Sequence, residues 1–170
     1  MMKYVINIMW EEKIEKLDIK IEIPKTEDIR DINKLAKQVQ KLHVNWRPDL
    51  YLDLEQVIQI DELEKKIELK QIYIAKFNDE IIGYIMFDII EKTNNIMRYR
   101  KQLNIDAICV DEKYRGKGIG TDLLNYTKEI AIENNCTDMY LAVSEENKRA
   151  IKCYEKFGFK VKQISYSMNL

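Results

Sequence analysis

Glycine is scarce in this chain, five residues in 170, as are proline with two, histidine with one and cysteine with three. Cys109, Cys136 and Cys153 are odd in number and far apart, which excludes a disulfide framework and offers no metal-ligand spacing. Reduced thiols in a cytoplasmic protein without a bound metal are the expectation. No run of 18 apolar residues occurs, so no transmembrane helix is expected. The first residues, Met1 to Asn7, lack the apolar core and small-residue cleavage site of a signal peptide. Charge of either sign is not in excess: the net charge is −1, which gives no global field for nucleic acid or a membrane. What is abundant is apolar residues, 46% of the chain, enough to give a single domain over residues 1–170 a core.

Three of the five glycines fall in one hexapeptide, Arg115-Gly116-Lys117-Gly118-Ile119-Gly120, between an apolar run from Leu103 to Val110 and an amphipathic segment. A bare turn between strand and helix lets backbone approach a ligand closely. The helix behind it presents unpaired N–H groups and a positive dipole end, which together attract phosphate. Spacing separates the known cradles. A P-loop needs Gly-Lys-Ser/Thr after four residues, but Lys117 lies between glycines and Gly120 precedes Thr121. A dinucleotide fingerprint starting at Gly116 would need glycine at position 121, which is Thr121. Alone, the hexapeptide does not decide between a cradle and an ordinary glycine-rich turn. A nucleotide-binding protein is the reading that these spacings count against.

The arrangement that fits is R-x-x-G-x-G, read as Arg115, Gly118 and Gly120. It resembles the pyrophosphate loop of the GNAT superfamily of acyl-CoA-dependent N-acetyltransferases. About thirty residues on, after Met139 to Val143, the order Asn147, Ala150, Tyr154, Gly158, Phe159 is similar to the second half of that family's cofactor site. The resemblance is strong over 103–160, the expected CoA-binding core, and weaker over 19–102. It implies an α/β fold with a central, twisted, mostly antiparallel sheet flanked by about four helices. Two splayed parallel strands would form the CoA cleft.

The element pattern is compatible. Ile19, Ile21 and Ile23 alternate as a strand ended by Pro24. Thr26 starts a helix with Ile29, Ile32, Leu35, Ala36, Val39 and Leu42 on one face, broken at Arg47-Pro48-Asp49. A second helix is predicted from about Leu54 to Leu69. Gln71 to Phe77 and Glu80 to Ile90 read as a hairpin around Asn78-Asp79, polar residues 91–98 as a turn, and Arg100 to Val110 as a strand. Ile119, Leu123, Leu124, Thr127, Ile130 and Ala131 give the next helix its apolar face. A strand at 137–143 and a helix at 146–157 follow, the helix capped by Gly158. Phe159 to Met168 are expected to finish the sheet. Residues 1–17 are a variable extension, with Tyr4 to Ile8 as a strand candidate and Glu11 to Leu17 as a short helix. The runs Glu11-Glu12-Lys13 and Glu62 to Lys66 read as solvated helix faces.

The resemblance also assigns roles. Acetyl-CoA would be the cosubstrate, held by Arg115, Gly116, Lys117, Gly118, Ile119, Gly120 and Thr121, by Asn147 and Tyr154, and by backbone of Ile108, Cys109 and Val110. Cys109 would then be an unreactive core residue. Tyr154 is the candidate general acid toward the leaving thiolate, because a phenol can donate a hydrogen bond; packing on an amphipathic helix is the bland reading. On a regular strand Asn104, Asp106, Ile108 and Val110 share a face. The family's carboxylate relay would fall on Asn104, which cannot be a base, or on Asp106, which can. A substrate contact or a wet strand end also accounts for Asp106. His43, Trp46, Arg47 and Tyr51 lie in the turn that borders the family's acceptor site, and a purely structural turn explains them equally. The expected function is direct acetyl transfer to a primary amine of a small molecule or a peptide. The alternative is a non-catalytic acyl-CoA-binding module. Family members often dimerise, which leaves a homodimer open.

Overall fold

A computed structural model describes residues 17–168. The strand and helix candidates at Tyr4–Ile8 and Glu11–Leu17 lie outside those residues, apart from Leu17. The described chain runs β1 (Lys20–Glu22), α1 (Ile29–Trp46), α2 (Ile60–Glu68), β2 (Ile72–Phe77), β3 (Glu80–Asn94), β4 (Met97–Val110), α3 (Ile119–Glu133), β5 (Asp138–Leu141) and α4 (Lys148–Phe157). The five strands form one sheet in sequence order. The first three pairings are antiparallel and the last, β4 with β5, is parallel.

Two apolar layers cover the sheet. On one face Ile32, Leu35 and Ala36 of α1 and Leu63 of α2 pack on Ile72, Ile74, Tyr84, Met86 and Cys109. On the other, Ile119, Leu123, Leu124 and Ala131 of α3 pack on Tyr73, Ile82, Ile85, Phe87, Leu103 and Ile105, with Tyr154 and Phe157 of α4 against them. The helical faces of α1 and α3 are therefore those that the 3.6-residue spacing predicts.

Four expectations change. First, α2 starts at Ile60, not near Leu54. Asn33 of α1 is the cause. Its Oδ1 accepts from the N–H groups of Val57 and Ile58 at 2.9 and 2.8 Å, and its Nδ2 donates to the Ile58 carbonyl at 2.9 Å. A buried amide that satisfies three backbone groups holds this stretch out of helix.

Second, residues 91–98 are not a broad turn. They extend the β3–β4 ladder, with Glu91 opposite Lys101, Lys92 opposite Arg100 and Asn94 opposite Met97. This end of the hairpin runs beyond the core, so its polarity reports exposure on both faces.

Third, residues 159–168 form no strand. Phe159 packs against Phe157 and Tyr154, but the chain beyond it is exposed, with Tyr166 at 93%. Phe159 and Val161 fall at odd positions but Ile164, Tyr166 and Met168 at even ones, so a continuous strand would send its apolar side chains to opposite faces.

Fourth, β4 does not keep one face throughout. Met86 pairs with Ala107, but the next residue, Phe87, pairs with Ile105. Asp106 is the extra residue of a β-bulge. Before it, Leu103 and Ile105 face α3; after it, Ala107 and Cys109 face α1 and α2, while Ile108 and Val110 face α3. Asn104 and Asp106 therefore lie on the α2 side, opposite to Ile108 and Val110.

Asn33→Ala should destabilise the fold by about 1–3 kcal/mol, the usual effect of leaving buried partners unsatisfied. Amide exchange at Val57 and Ile58 should accelerate more than at α3. Unchanged exchange there would show that Asn33 does not hold the segment.

Candidate active site

The bulge also opens the sheet. β5 pairs with β4 only from Gln102 to Ile105, matched with Asp138 to Leu141. From Asp106 to Val110, β4 keeps β3 along one edge and no strand of the described residues along the other. This is the expected splay of two parallel strands. Unpaired backbone groups on such an edge can serve amide and carbonyl groups of an extended ligand.

Glycine conformation shapes the end of the splay. Gly116 and Gly118 both have φ of +87°, the left-handed region that favours glycine. Gly118 is the residue before α3, and no side chain among the described residues caps that helix. Intrahelical bonding starts with the Asp122 N–H, which donates to the Gly118 carbonyl at 3.0 Å. The N–H groups of Ile119, Gly120 and Thr121 are thus the orphan donors of the first turn. A Cβ placed on Gly118 would meet nothing within 4 Å, so the space above them is open. The fit to a diphosphate is good: free donors, a positive dipole end and room.

Cations surround this cradle, but not as the motif alone suggests. Arg115 turns away, its Nε donating to the Val110 carbonyl at 2.9 Å and its Nη2 to Gln38 Oε1 at 3.4 Å. It therefore fixes the loop. Gln38 of α1 completes that anchor, donating to Asp111 at 2.9 Å and accepting from the Glu112 N–H at 3.1 Å. Lys117 lies over the ring of Tyr114, 5.8 Å from its centroid. Arg149 of α4 reaches the loop instead, with Nη2 3.8 Å from where a Cβ on Gly116 would sit. Sequence reasoning passed over Arg149 and Gln38. An arginine one turn into the Asn147 helix was visible; a glutamine that ties α1 to a distant loop was not.

Asn147 is the N-cap of α4, its Oδ1 accepting from the Ala150 N–H at 3.1 Å. Two turns beyond Asn147, Tyr154 packs edge-on to Phe159 at 5.9 Å, against the same apolar layer as Ile108 and Val110. Burial pushes its phenol up to about 12, so it stays protonated through the neutral range. Cys109 faces the other way. Its Sγ donates to the Leu35 carbonyl at 3.3 Å, and burial pushes the thiol up to about 12. That is an inert core cysteine.

On the α2 side, Asp106 accepts from Lys66 Nζ at 2.8 Å and from Asn104 Nδ2 at 2.7 Å. Asp88 of β3 shares the same ammonium at 2.9 Å. Partial burial raises the Asp106 carboxyl above the usual range, Lys66 opposes that shift, and Asp88 adds to it. Asp106 counts as exposed although its side chain is only 28% exposed, so the opening is at its backbone, on the splayed edge. Lys66 corrects the reading of Glu62 to Lys66 as a solvated face. It is buried, and it lies beside Leu63 and Ile67 on the packed side of α2. A cation at a core position of the helical repeat was the available signal.

The structure also brings His43, Tyr51 and Trp46 together. The imidazole stacks tilted on Tyr51 at 4.9 Å and on Trp46 at 5.9 Å, and burial lowers its pKa. Arg47 forks onto Asp49 at 2.8 and 2.7 Å, and its charge is felt by Glu146 beside α4. The end of α1 therefore faces the loop that precedes Asn147.

These features match one group of proteins. A sequence model described as the Acetyltransferase (GNAT) family covers residues 33–159. The chain belongs to the GNAT acetyltransferase family. It is 31% identical over 128 residues to N-alpha-acetyltransferase 50 of Danio rerio, covering 74% of this chain and 68% of that protein. It is 26% identical over 136 residues to the spermine/spermidine N(1)-acetyltransferase of Bacillus subtilis, covering 77% and 84%. The match to the N-acetyltransferase MJ1207 of Methanocaldococcus jannaschii, at 34% identity, spans 54% of this chain but only 40% of that protein. Among solved structures, a mutant of the BH1408 protein of Bacillus halodurans superposes with a TM-score of 0.83 at 22% identity, over 89% of this chain and 99% of that one. Aminoglycoside N-acetyltransferase AAC(6')-Iy, solved in complex with CoA, superposes with a TM-score of 0.64 at 17% identity, over 90% and 100%. The GNAT fold is thus present, with its parallel splay between β4 and β5. No helix among the described residues is long and apolar enough to cross a membrane.

Cys109 should resist alkylation in this GNAT fold. Near pH 8 its modification by iodoacetamide should run at least about 100-fold slower than in urea-unfolded chain, because the thiolate is the reacting form. Peptide mass spectrometry reads this directly, and fast modification of Cys109 in folded protein would contradict its burial.

Proposed function

We propose that this chain transfers an acetyl group from acetyl-CoA directly to a primary amine. The observation that carries the reading is the splay itself, which has an anion cradle at one end and a carboxylate on its edge. The orphan N–H groups of Ile119, Gly120 and Thr121 would hold the pyrophosphate, with Arg149 and Lys117 beside it. The open edge of β4 at Ile108, Cys109 and Val110 would pair with the pantetheine amides and polarise the thioester carbonyl. When bound, acetyl-CoA supplies the activated acyl group; every other requirement falls on backbone groups and side chains of this chain.

The bulge assigns those side chains to opposite sides. Ile108, Val110 and Tyr154 pack toward α3, on the cradle side. Asp106 points to α2, where an amine can approach through the splay from the other face. Asp106 takes a proton from the incoming amine, directly or through water. Its raised pKa suits that task, because a base is most effective when its pKa is close to the working pH. Tyr154 remains a phenol and can donate its proton to the departing thiolate. The inertness of Cys109 supports direct transfer over an acyl-enzyme. Tyr51, Trp46 and His43 are proposed to line the acceptor entrance, with Arg47 fixing their turn.

Two relatives and one structural neighbour are named for spermine and spermidine, for the alpha-amino group and for aminoglycosides. A panel of spermidine, peptides with free N-termini and an aminoglycoside therefore covers the acceptor classes.

Calorimetric titration should show acetyl-CoA binding to the natural chain and none to Gly118→Glu, where a left-handed φ and an anion both oppose binding. Equal binding by both would dismiss the cradle. Tyr154→Phe should lower kcat by roughly 10²-fold, within the usual range for a lost general acid, and leave the KM for acetyl-CoA nearly unchanged. Full turnover by Tyr154→Phe across the pH range would remove the acid role. Binding of acetyl-CoA with no turnover on the whole panel would instead favour a non-catalytic acyl-CoA-binding module.

A further inference from the structure

Among the described residues, Lys66 is the one partner of Asp106 that comes from outside the sheet. It sits on the packed side of α2, with its side chain 10% exposed. An ammonium has three N–H donors, and three acceptors meet it. These are the Phe87 carbonyl at 2.9 Å, Asp88 Oδ1 at 2.9 Å and Asp106 Oδ2 at 2.8 Å. The first is decisive. Phe87 is the residue of β3 at which the register shifts, so its carbonyl anchors the cation to the bulge itself. Asp106 is then held at both oxygens, Oδ2 by Lys66 and Oδ1 by Asn104 at 2.7 Å. A buried lysine without partners tends to lose its proton; here burial lowers the pKa of Lys66, but Asp106 and Asp88 more than reverse that.

Two carboxylates that share one site repel each other, and one of them tends to hold a proton. A proton on Asp106 would end its service as a base. We infer that Lys66 is a positioning residue for acetyl transfer: it fixes Asp106 on the splayed edge and keeps it ionised against the facing Asp88. The inference rests on the reading of Asp106 as the base. The charged groups that face Asp106 are Lys66 from α2 and Asp88 from β3; Asn104, on its own strand, is neutral. A lysine that only ties α2 to the sheet would move the Asp106 titration in the same sense but would leave the acid limb of kcat/KM where it is. The inference predicts opposite signs for its two neighbours. Removing Lys66 leaves partial burial and Asp88 to push Asp106 up. Removing Asp88 leaves Lys66 to pull it down.

The test uses the full chain with ¹³C-labelled aspartate, the Asp106 carboxyl signal being assigned by its loss in Asp106→Asn. Its titration is followed in the natural chain, Lys66→Met, Lys66→Arg and Asp88→Asn, with circular dichroism as the check on folding. In parallel, the pH dependence of kcat/KM is measured with acetyl-CoA and the best amine of the panel. Lys66→Met should move the Asp106 midpoint up by about one unit or more. The acid limb of kcat/KM should follow it, a loss of about tenfold per unit at low pH. Asp88→Asn should move both down, and Lys66→Arg should stay near the natural chain. If Lys66→Met does not fold, Lys66→Gln, which keeps a hydrogen-bonding side chain without the charge, takes its place. An unmoved midpoint in the charge-deleted variant, or shifts of the same sign in both variants, overturns the role of Lys66 whatever the base is. A midpoint that moves while the acid limb stays put overturns the reading of Asp106 as base, and the catalytic role of Lys66 falls with it.

Discussion

Between the pairs Met86–Ala107 and Phe87–Ile105, β4 carries one residue more than β3. Side chains on a strand alternate, so a single extra residue exchanges the faces of everything beyond it. Without it, Leu103, Ile105, Ala107 and Cys109 would crowd one face of the sheet. With it, the first two serve the α3 layer and the last two the α1–α2 layer. Parallel pairing with β5 reaches Ile105, the last residue before the bulge, and stops. The open edge, the outward turn of Asp106 and the return of Ile108 and Val110 toward α3 are consequences of that one insertion. Alter it, and the proposed base and the proposed cofactor edge would lie on the same side.

A site on an opened strand needs rigid support, because an unpaired edge has lost half of its ladder. The support is polar and comes from the helices. Gln38 of α1 bonds Asp111 and the Glu112 N–H, and Arg115 bonds the Val110 carbonyl. The loop between β4 and the glycine cradle is thereby tied at both ends. Lys66 of α2 does the same for the bulge through the Phe87 carbonyl. Arg115 shows how a cationic residue in a glycine-rich motif can act by shaping the loop; in the proposed reading the phosphate is left to backbone N–H groups and to Arg149.

What could be read from the sequence divides along the reach of each interaction. The glycine loop, the Asn147 cap, the Gly158 cap and the apolar faces of α1 and α3 are local patterns, and all appear where their spacing places them. The β4 bulge has no decisive local signature: the alternation of Leu103-Asn104-Ile105-Asp106 gives way to the all-apolar Ala107-Ile108-Cys109-Val110, which fits either register, and the extra residue is defined only against β3. The start of α2 depends on Asn33, 24 residues before Val57. Lys66 was misread for a related reason. A run of glutamates and lysines looks solvated until the position of the lysine relative to Leu63 and Ile67 is taken into account. Residues 159–168 differ the other way: a strand is expected from their alternation, but that alternation changes face at Lys162-Gln163, so no single face gathers the apolar side chains.

The net charge of −1 conceals a polarity across the sheet. On the α3 side, Arg149, Lys117 and the start of α3 offer positive potential to an anion. On the α2 side, Asp88 and Asp106 outnumber Lys66, and a residual negative charge faces the splay. In the proposed reading, the reagents differ in the same sense: a cosubstrate with a diphosphate, and an amine that arrives as an ammonium ion. Lys66 then sets a limit on that polarity. With no cation between them, the two carboxylates would share a proton, and Asp106 would be ionised only part of the time. A fully exposed cation in the same place would be free to swing away and would compete poorly with water. A buried lysine, with all its donors taken and its stem packed beside Leu63, neutralises one carboxylate and leaves the other charged.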